Sequence, residues 1–266
     1  MPVRPDDTAA DLEDVQIPTF ANYPSLAGRT VFLTGGASGI GADMVRAFAA
    51  NGSRIAFVDI QDDSGRALAA ECGALFFHAD VTDIPALQGA IADAGRQLGP
   101  IGVLINNAAN DDRQAIDDVT IEYWDQSQAV NLRPHFFAAQ AVRSQMRQLG
   151  FGSIINFSSI SWRFGAESMA AYATAKAAVL GLTRALARGF GADNIRVNAI
   201  EPGAVITERQ KQLWYRTPES IEAVVQRQAI RKVLLGEEIA RTALFLAADD
   251  SRMITKQSII VDAGLS

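Results

Sequence analysis

The sequence predicts a single doubly wound α/β domain with about seven parallel strands and helices on both faces of the sheet. Three observations support this fold class. Short runs rich in β-branched residues alternate with longer, Ala-rich stretches of helical periodicity. The short runs are apolar throughout, which is typical of parallel strands covered on both faces. No internal repeat or interdomain linker interrupts the alternation, so right-handed crossovers would place helices on both sides of one sheet.

The elements follow in strict alternation from Thr30 onward. Apolar, β-branched runs predict strands at Thr30–Thr34, Arg54–Asp59, Leu75–Ala79, Val103–Asn106, Ser153–Phe157, Ile195–Ile200 and Ser258–Val261. Stretches with helical spacing of apolar residues predict helices at Gly39–Asn51, Asp63–Glu71, Pro85–Leu98, Ile121–Leu149, Ala171–Phe190 and Glu237–Ala247. The segment at about 204–235 breaks this rhythm and contains Trp214, Tyr215 and Pro218, so we expect a lid-like insertion there.

Residues 26–266 are therefore expected to form one domain, preceded by an acidic N-terminal extension at 1–25. That extension is rich in proline and carries the acidic residues Asp6, Asp7, Asp11, Glu13 and Asp14. It lacks the basic start and apolar run of a signal peptide, and no stretch of the chain is apolar for the ~18 residues that a membrane span requires. We therefore expect a cytoplasmic protein with no membrane partner.

The charge and the few Cys and His residues argue against a nucleic-acid-binding, disulfide-bonded or metal-binding protein. The net charge is −6, whereas nucleic-acid binding requires a basic face. The lone Cys72 cannot form an internal disulfide, which favours a reducing compartment. The only histidines, His78 and His135, lie near no Cys or His partner in the sequence, so no metal site is predicted and both are expected to pack or to face solvent.

A glycine-rich turn follows the first predicted strand. Residues Thr34–Gly41 read Thr-Gly-Gly-Ala-Ser-Gly-Ile-Gly and run directly into a helix. Glycines there permit a tight turn and let a pyrophosphate approach the backbone at the helix N-terminus, whose dipole favours anions. The spacing Gly-x-x-x-Gly-x-Gly is a weak signal alone, and a glycine turn without a ligand is the alternative. Its position between strand and helix favours a Rossmann-type dinucleotide site.

Asp59 closes the second predicted strand, 18 residues after Gly41. A carboxylate there can accept hydrogen bonds from ribose hydroxyls and would repel a 2′-phosphate. Neither Ile60 nor Gln61 offers a cation, so the sequence favours NAD over NADP. A solvated residue at a strand end is the alternative for Asp59.

Tyr172 and Lys176 are four residues apart within a predicted helix, so both project from one face. A phenol has a pKa of about 10 in water, and it must be shifted to act as a base near neutral pH. An ammonium nearby and a positive nicotinamide ring would both favour the phenolate. Taken singly, Tyr172 can instead be a core residue and Lys176 a solvated neighbour.

The chain resembles the short-chain dehydrogenase/reductase family over about residues 26 to 264. The resemblance is carried by Thr34–Gly41, Asn106-Asn107-Ala108-Ala109, Asn131, Ser159, Tyr172-Ala-Thr-Ala-Lys176 and Pro202–Thr207. It implies that Tyr172 accepts the proton, that Lys176 assists it and holds the nicotinamide ribose, and that Ser159 hydrogen-bonds the reacting oxygen. It also implies that Asn131 bends its helix and holds a water in a proton relay. Ser158 and Ser161 compete with Ser159 for its role, but the spacing to Tyr172 favours Ser159.

The resemblance further implies a set of cofactor-binding residues. They are Gly35, Ser38, Gly39, Ile40, Gly41, Asp59, Ile60, Asp80, Val81, Asn107, Ala108, Tyr172, Lys176, Pro202, Gly203, Val205 and Thr207. Three positions depart from the family pattern, since Ala109, Lys256 and Ala263 stand where glycines are usual. These departures put local backbone geometry in doubt rather than catalysis.

Polar residues converge on the expected site and indicate the substrate class. The candidate substrate-binding residues are Asn110, Asp111, Arg113, Ser161, Trp162, Glu201 and Arg209. Carboxylates accept hydrogen bonds from vicinal hydroxyls, and an aromatic face covers the apolar side of a pyranose. The segments around Asn107–Arg113, Ile155–Trp162 and Glu208–Gln210 are similar to bacterial NAD-dependent aldose 1-dehydrogenases, which act on xylose, arabinose or galactose. We therefore expect oxidation of a cyclic aldose at C1 to its lactone.

Other functions remain open at this point. A sugar acid could bind Arg113, Arg163 or Arg209, and a secondary alcohol or a 3-oxoacyl substrate could react on the same scaffold. A catalytically silent dinucleotide-binding protein is a further alternative, which the trio Ser159, Tyr172 and Lys176 disfavours. Family members often form dimers or tetramers through two long helices, so a homo-oligomer is expected by analogy.

Overall fold

The computed structural model describes residues 20–266, which form one α/β domain around a seven-stranded, all-parallel sheet. The strand order is β3-β2-β1-β4-β5-β6-β7. The strands are β1 Thr30–Thr34, β2 Arg54–Asp59, β3 Leu75–His78, β4 Ile101–Asn106, β5 Gly152–Phe157, β6 Ile195–Pro202 and β7 Ser258–Val261. Three of them match the predicted bounds, and the others differ by one or two residues at an end. The predicted fold class is confirmed.

Ten helices connect the strands within the described part of the chain. They are α1 Gly39–Ala50, α2 Asp62–Cys72, α3 Ile84–Leu98, α4 Ile121–Asn131, α5 Arg133–Leu149, α6 Ser161–Phe164, α7 Ala170–Phe190, α8 Glu208–Leu213, α9 Pro218–Val225 and α10 Gly236–Ala247. Helices α8 and α9 lie in the segment that was expected to be a lid. The single turn of α6 was not predicted, because four residues are too few to show helical periodicity.

Two hydrophobic cores cover the two faces of the sheet. On one face α1 and α10 pack against strand residues such as Val31 and Leu33. On the other face α3, α5 and α7 pack against residues such as Phe32 and Leu104. Neighbouring residues of one strand thus enter opposite cores, because successive side chains point to opposite faces. This explains why the central strands are apolar at every position, as the sequence indicated.

The predicted helix Ile121–Leu149 is wrong in one respect, since the structure has two helices there. The backbone departs from helical geometry at Leu132, with φ −132° and ψ −55°. The next helix, α5, begins at Arg133 and has Pro134 in its first turn. Proline has no N–H and fixes φ near −65°, so it suits the start of a helix and breaks an interior. The break directly follows Asn131, the residue that was expected to bend its helix.

The described part of the expected N-terminal extension packs on the domain. Leu26 is fully buried in the core, the Tyr23 backbone N–H donates to the Asn51 side chain, and the Arg241 guanidinium lies 3.8 Å from the ring centre of Phe20. Residues 20–25 therefore contact the domain body, and the expected boundary at residue 26 stays a prediction. Residues 1–19 lie outside the described chain. Between residues 20 and 266, no helix has the length and apolar character needed to span a membrane.

Candidate active site

A cleft opens along the carboxyl edge of the sheet, where β1 is flanked by β2 on one side and β4 on the other. Such a switch point is where doubly wound sheets bind ligands, because the loops leave in opposite directions and separate. The cleft encloses about 1240 Å³, which exceeds the roughly 300–1,000 Å³ of a typical small-molecule pocket. It therefore has room for a large cofactor and a substrate together.

The turn between β1 and α1 forms the floor of this cleft. Gly35 has φ +71°, and a Cβ there would lie 2.7 Å from the Ala108 Cα atom. A Cβ on Gly41 would lie 1.8 Å from the Gly35 carbonyl oxygen. Only glycine fits at these two positions. The Ser38 side chain makes no capping hydrogen bond, so the first N–H groups of α1 remain available to an anion. These features fit a pyrophosphate.

Asp59 is almost fully buried at the end of β2. Its carboxylate accepts hydrogen bonds from the backbone N–H of Ala37 (2.9 Å) and of Gln61 (3.1 Å). The Gln61 side-chain amide donates in turn to the Ser38 hydroxyl (3.0 Å). Asp59 thus holds the glycine turn and also places an anionic group on the cleft wall. No cation interacts with its carboxylate through a hydrogen bond or ion pair in the described chain.

All seventeen predicted cofactor-binding residues line this one cleft. Asn107 joins the two sides of the cleft through hydrogen bonds. Its side-chain N–H donates to the Gly35 carbonyl (2.8 Å), and its backbone N–H donates to the Thr34 hydroxyl (3.0 Å). The loop after β4 is thereby fixed to the loop after β1. The structure brings these residues together, and their contacts with a cofactor stay predictions.

Ser159, Tyr172 and Lys176 meet at the centre of the same cleft. The Lys176 side chain is 1% exposed and its ammonium donates to the Phe157 carbonyl at the end of β5 (2.9 Å). The ammonium lies 5.6 Å from the centre of the Tyr172 ring. Ser158, the competing serine, donates its hydroxyl to the Lys176 carbonyl (2.7 Å) and is thus engaged in holding the helix. Ser159 is partly exposed and remains the serine beside Tyr172.

Burial dominates the ionisation of this trio. It lowers the pKa of Lys176 from 10.5 to about 7, against the opposing effect of the Asp111 carboxylate. Burial also raises the pKa of Tyr172, Asp111 raises it further, and the Ser159 hydroxyl lowers it. The sequence argument assigned the lowering of the Tyr172 pKa partly to Lys176. In the structure burial is the largest influence on the Tyr172 pKa and raises it, so the lowering that the sequence argument expects stays a prediction.

Asn131 does not line the cleft. Its amide oxygen accepts from the Asn110 backbone N–H (2.9 Å), and its amide nitrogen donates to the Asn110 carbonyl (3.0 Å). The side chain is fully buried at the end of α4 and holds the loop after β4. The protein partners that the structure gives Asn131 are therefore Asn110 and Ser127, and the proposed water relay stays a prediction.

The substrate end of the cleft is formed by the loop at 110–113 and by α8. Arg209 donates to the side chains of Asn110 (3.1 Å), Asp111 (3.4 Å) and Asp112 (3.2 Å). The Arg113 guanidinium lies 3.8 Å from the ring centre of Trp214. Four predicted substrate residues therefore lie together across the mouth of the cleft. Ser161 also lines it, and its buried hydroxyl has no hydrogen-bond partner among residues 20–266.

Two predicted substrate residues are not at the cleft. Glu201 is fully buried, and its carboxylate accepts from the Trp162 indole N–H (2.8 Å), from the Arg163 guanidinium (3.0 Å) and from the Ser258 hydroxyl. All of its acceptor capacity is used inside the protein, and Arg163 lowers its pKa against the effect of burial. The structure therefore gives Trp162 and Glu201 partners inside the protein, and their contact with substrate stays an untested prediction. They anchor α6 to β6.

Sequence reasoning identified Arg209 of α8 but missed Gln210 and Trp214 as partners of Asp111. Gln210 donates to the Asp111 carboxylate (2.8 Å), as does the Trp214 indole N–H (3.2 Å). Trp214 was noted only as a sign of a lid. No sequence signal could have identified these contacts, because the partners are about a hundred residues apart.

A family model described as enoyl-(acyl carrier protein) reductase matches residues 35–266. A probable galactose dehydrogenase of Rhizobium meliloti is 47% identical over 251 residues, which cover 92% of this chain and 98% of the relative. A D-xylose 1-dehydrogenase of Caulobacter vibrioides is 43% identical over 249 residues, with the same two coverages. A 3-alpha-(or 20-beta)-hydroxysteroid dehydrogenase of Mycobacterium tuberculosis is 36% identical over 241 residues, covering 90% of each chain.

Proposed function

Because this chain belongs to the short-chain dehydrogenase/reductase family and is an oxidoreductase, we propose that it oxidises a cyclic aldose at C1, with NAD as the hydride acceptor. The product is the aldonolactone. The observation that carries the proposal is the end of the cleft beside Tyr172, which is rich in carboxylates and amides. Such groups suit vicinal hydroxyls and do not suit a steroid or an acyl chain. The two sugar dehydrogenases among the relatives support the same substrate class.

The reaction divides between three side chains. The Tyr172 phenolate takes the proton of the C1 hydroxyl, and Ser159 hydrogen-bonds the oxygen that becomes the lactone carbonyl. Lys176 lies beside both, held in place by the Phe157 carbonyl, and its charge favours the phenolate while its amine is protonated. When bound, the oxidised nicotinamide supplies the acceptor for the hydride of C1 and a positive charge that favours the phenolate. The bond from C1 to hydrogen breaks with its electron pair, and a C1–oxygen double bond forms.

Members of this family use nicotinamide dinucleotide cofactors. For this chain we propose NAD rather than NADP, and Asp59 supports that choice. Its carboxylate is fixed by two backbone N–H groups at the end of β2, where it would repel a 2′-phosphate. Arg46 lines the cleft as well, but its guanidinium is paired with Glu71 (2.7 Å) on the neighbouring helix.

The alternative of a sugar-acid substrate loses support from the structure. The three arginines that could hold a carboxylate are each engaged elsewhere. Arg163 is paired with Glu201 away from the cleft, and Arg209 is paired with Asp111 and Asp112. Arg113 stacks on the indole ring of Trp214.

We also propose that the protein is cytoplasmic and forms a homo-oligomer.

A panel of initial rates tests the function. We expect turnover of D-galactose, D-xylose or L-arabinose with NAD, and slower turnover with NADP, while simple secondary alcohols and 3-oxoacyl thioesters react poorly. Tyr172→Phe should lower kcat by about 10²–10⁴-fold, because it removes the proton acceptor. Tyr23→Phe is the matched control, since Tyr23 lies outside the cleft. Oxidation of secondary alcohols but of no aldose would refute the substrate class, and a fully active, folded Tyr172→Phe variant would refute the mechanism.

A further inference from the structure

A very short helix follows Ser159. Helix α6 has only the four residues Ser161–Phe164, which make a single turn. A turn of this length does not persist by itself, because fixing its backbone costs more free energy than its own hydrogen bonds return. Contacts outside α6 therefore determine where this helix lies.

The carboxylate of Glu201 anchors α6 to the sheet. Glu201 is 0% exposed and stands on β6, one residue before the end of the strand. The Nε and Nη2 atoms of Arg163 donate to its two oxygens (3.2 and 3.0 Å), and the Trp162 indole N–H donates to one of them (2.8 Å). A bidentate guanidinium pair fixes an angle as well as a distance. Two successive residues of α6 are thus bonded to one point of the sheet.

That point is itself held firmly. Strand β6 pairs with β5 on one side and with β7 on the other, and the Glu201 carboxylate also accepts from the Ser258 hydroxyl at the start of β7. Burial raises the pKa of Glu201, but the hydrogen bonds from Arg163, Ser258 and Trp162 lower it below its ordinary value, so the group is an anion at neutral pH. A buried anion is costly without its donors, which keeps these contacts formed.

Helix α6 reaches the proposed reaction centre through one backbone N–H. Ser161 is the first residue of α6, and its N–H donates to the hydroxyl oxygen of Ser159 (3.1 Å). Because this bond occupies a lone pair of the oxygen, it restricts the directions in which Ser159 can donate its own proton. It also strengthens that donor, since hydrogen bonds in a chain polarise one another. A shift of α6 would therefore change the direction of the Ser159 hydroxyl.

We propose that Glu201 is a positioning residue for Ser159, which acts through α6 to direct the serine hydroxyl at the reacting oxygen. The inference rests on the role of Ser159 in the proposed aldose oxidation. Pro202 follows Glu201 directly and lines the cleft, so the same anchor relates the serine to the wall that is expected to hold the cofactor. Glu201 thereby affects the reaction without lining the cleft.

Glu201→Gln tests the inference. An amide keeps the size of the side chain but has one oxygen, so it cannot accept from both nitrogens of Arg163. The Arg163 side chain is 34% exposed and can turn to water, so we expect the variant to fold. Its kcat for D-galactose with NAD should fall about 10- to 100-fold, while its KM for NAD should change less than about threefold.

Asp193→Asn is the matched control. Asp193 is also a carboxylate that pairs with arginines, Arg143 (2.8 Å) and Arg147 (3.4 Å), but it does not line the cleft. Its loss should leave kcat within about twofold of the wild type. An equal loss of kcat in Asp193→Asn and Glu201→Gln overturns the inference.

A double-mutant cycle separates positioning from a general loss of structure. In a Ser159→Ala background the hydroxyl is gone, so adding Glu201→Gln should lower kcat by less than about a further threefold. The same loss of kcat in both backgrounds overturns the inference, as does a Glu201→Gln enzyme with the kcat of the wild type. If Glu201→Gln does not fold, Arg163→Lys replaces it, because lysine keeps the charge but not the bidentate geometry.

Hydrogen exchange of the cofactor-free protein gives a readout besides activity. In Glu201→Gln the backbone N–H groups of residues 160–164 should exchange about tenfold faster or more, with no change there in Asp193→Asn. Unchanged exchange overturns the inference, whether or not an aldose is oxidised. Turnover of a secondary alcohol but of no aldose refutes the proposed function alone, because the same cycle is then run on that alcohol.

Discussion

Lys176 is a cation buried inside the protein, and burial of a charge destabilises the folded state. One hydrogen bond, to the Phe157 carbonyl, offsets part of this cost. Burial lowers the pKa of the ammonium from 10.5 to about 7, so the folded protein releases a proton that the unfolded chain retains up to about pH 10. The position proposed to assist catalysis is therefore also one where stability depends on pH.

The sign of that dependence can be tested. Between about pH 7 and pH 10 the unfolded chain binds more protons, so Lys176 makes the free energy of unfolding rise with pH, by at most about 1.4 kcal/mol per pH unit. Below pH 7 both states are protonated and its contribution is flat. We therefore expect the free energy of unfolding of the wild type, minus that of Lys176→Met, to rise between pH 7 and pH 10. Urea unfolding at several pH values measures this difference. A pH-independent difference would contradict this, and exposed Lys232→Met is the control.

At the scale of single residues, the sequence predicts well that Tyr172 and Lys176 lie close together. Tyr172 and Lys176 are one helical turn apart, so their proximity is local and follows from helix geometry. The partners of Glu201 and of Asp111 are not local. Glu201 looked like a substrate ligand because it precedes Pro202 and Gly203, and only the packing of α6 against β6 and β7 reveals that its carboxylate is already satisfied.

Among the elements, β7 is flanked by two unusual backbone positions. Lys256 before it has φ +66° and Ala263 after it has φ +55°, at the two positions where the family usually has glycine. The doubt about local geometry is thereby answered, since the left-handed backbone is retained without glycine. A side chain in this conformation costs roughly 1–2 kcal/mol. The Lys256 backbone N–H still donates to Val197 (2.8 Å), so the sheet connection is kept.

Replacing either residue by glycine should therefore stabilise the protein. We expect Ala263→Gly to raise the free energy of unfolding by about 0.5–1 kcal/mol, after the greater freedom of glycine in the unfolded chain is subtracted. Ala67→Gly, at an exposed position inside α2, should instead lower it by about 1 kcal/mol. Thermal or urea unfolding measures both. The strain argument fails if the two variants change stability in the same direction.

The bounds of helices and strands were predictable where the burial pattern of the side chains determines them. The strands are runs of β-branched residues that must be buried on both faces, and the structure places each of them within two residues. The sequence analysis missed the division of the predicted Ile121–Leu149 helix because the apolar periodicity continues across Leu132. Pro134 causes the division, because proline suits the first turn of a helix and not its interior. The ordering of α8 by Asp111 depends on tertiary contacts, so no local pattern indicates it.

At the scale of the whole molecule, α4 and α5 carry apolar side chains that remain exposed. Ile121 is 76%, Phe136 41% and Trp124 38% exposed. All three lie on Ile121–Leu149, the first of the two long helical segments that the family resemblance connects with assembly; the second is Ala171–Phe190. Exposed apolar groups of this size are a common feature of subunit interfaces. They support the proposed homo-oligomer.

Light scattering after size-exclusion chromatography tests this proposal. We expect a dimer or tetramer of the 28.5 kDa chain. Phe136→Asp should shift the population toward smaller species, because a charge would be buried in the interface. Ile230→Asp, at an exposed position in the lid segment, is the control and should not. A monomeric wild type at micromolar concentration would refute the proposal.

The position of β7 has a consequence for how the pocket assembles. Gly203 lies so close to Asp262 that a Cβ would be 2.6 Å from the Asp262 Cα atom, and Leu265 lines the cleft. Residues that follow β7 thus form part of the wall of the pocket whose floor is built from residues 34–41. These two segments are far apart in the sequence, so the pocket depends on long-range contacts, which form late because the loop between them must first be closed.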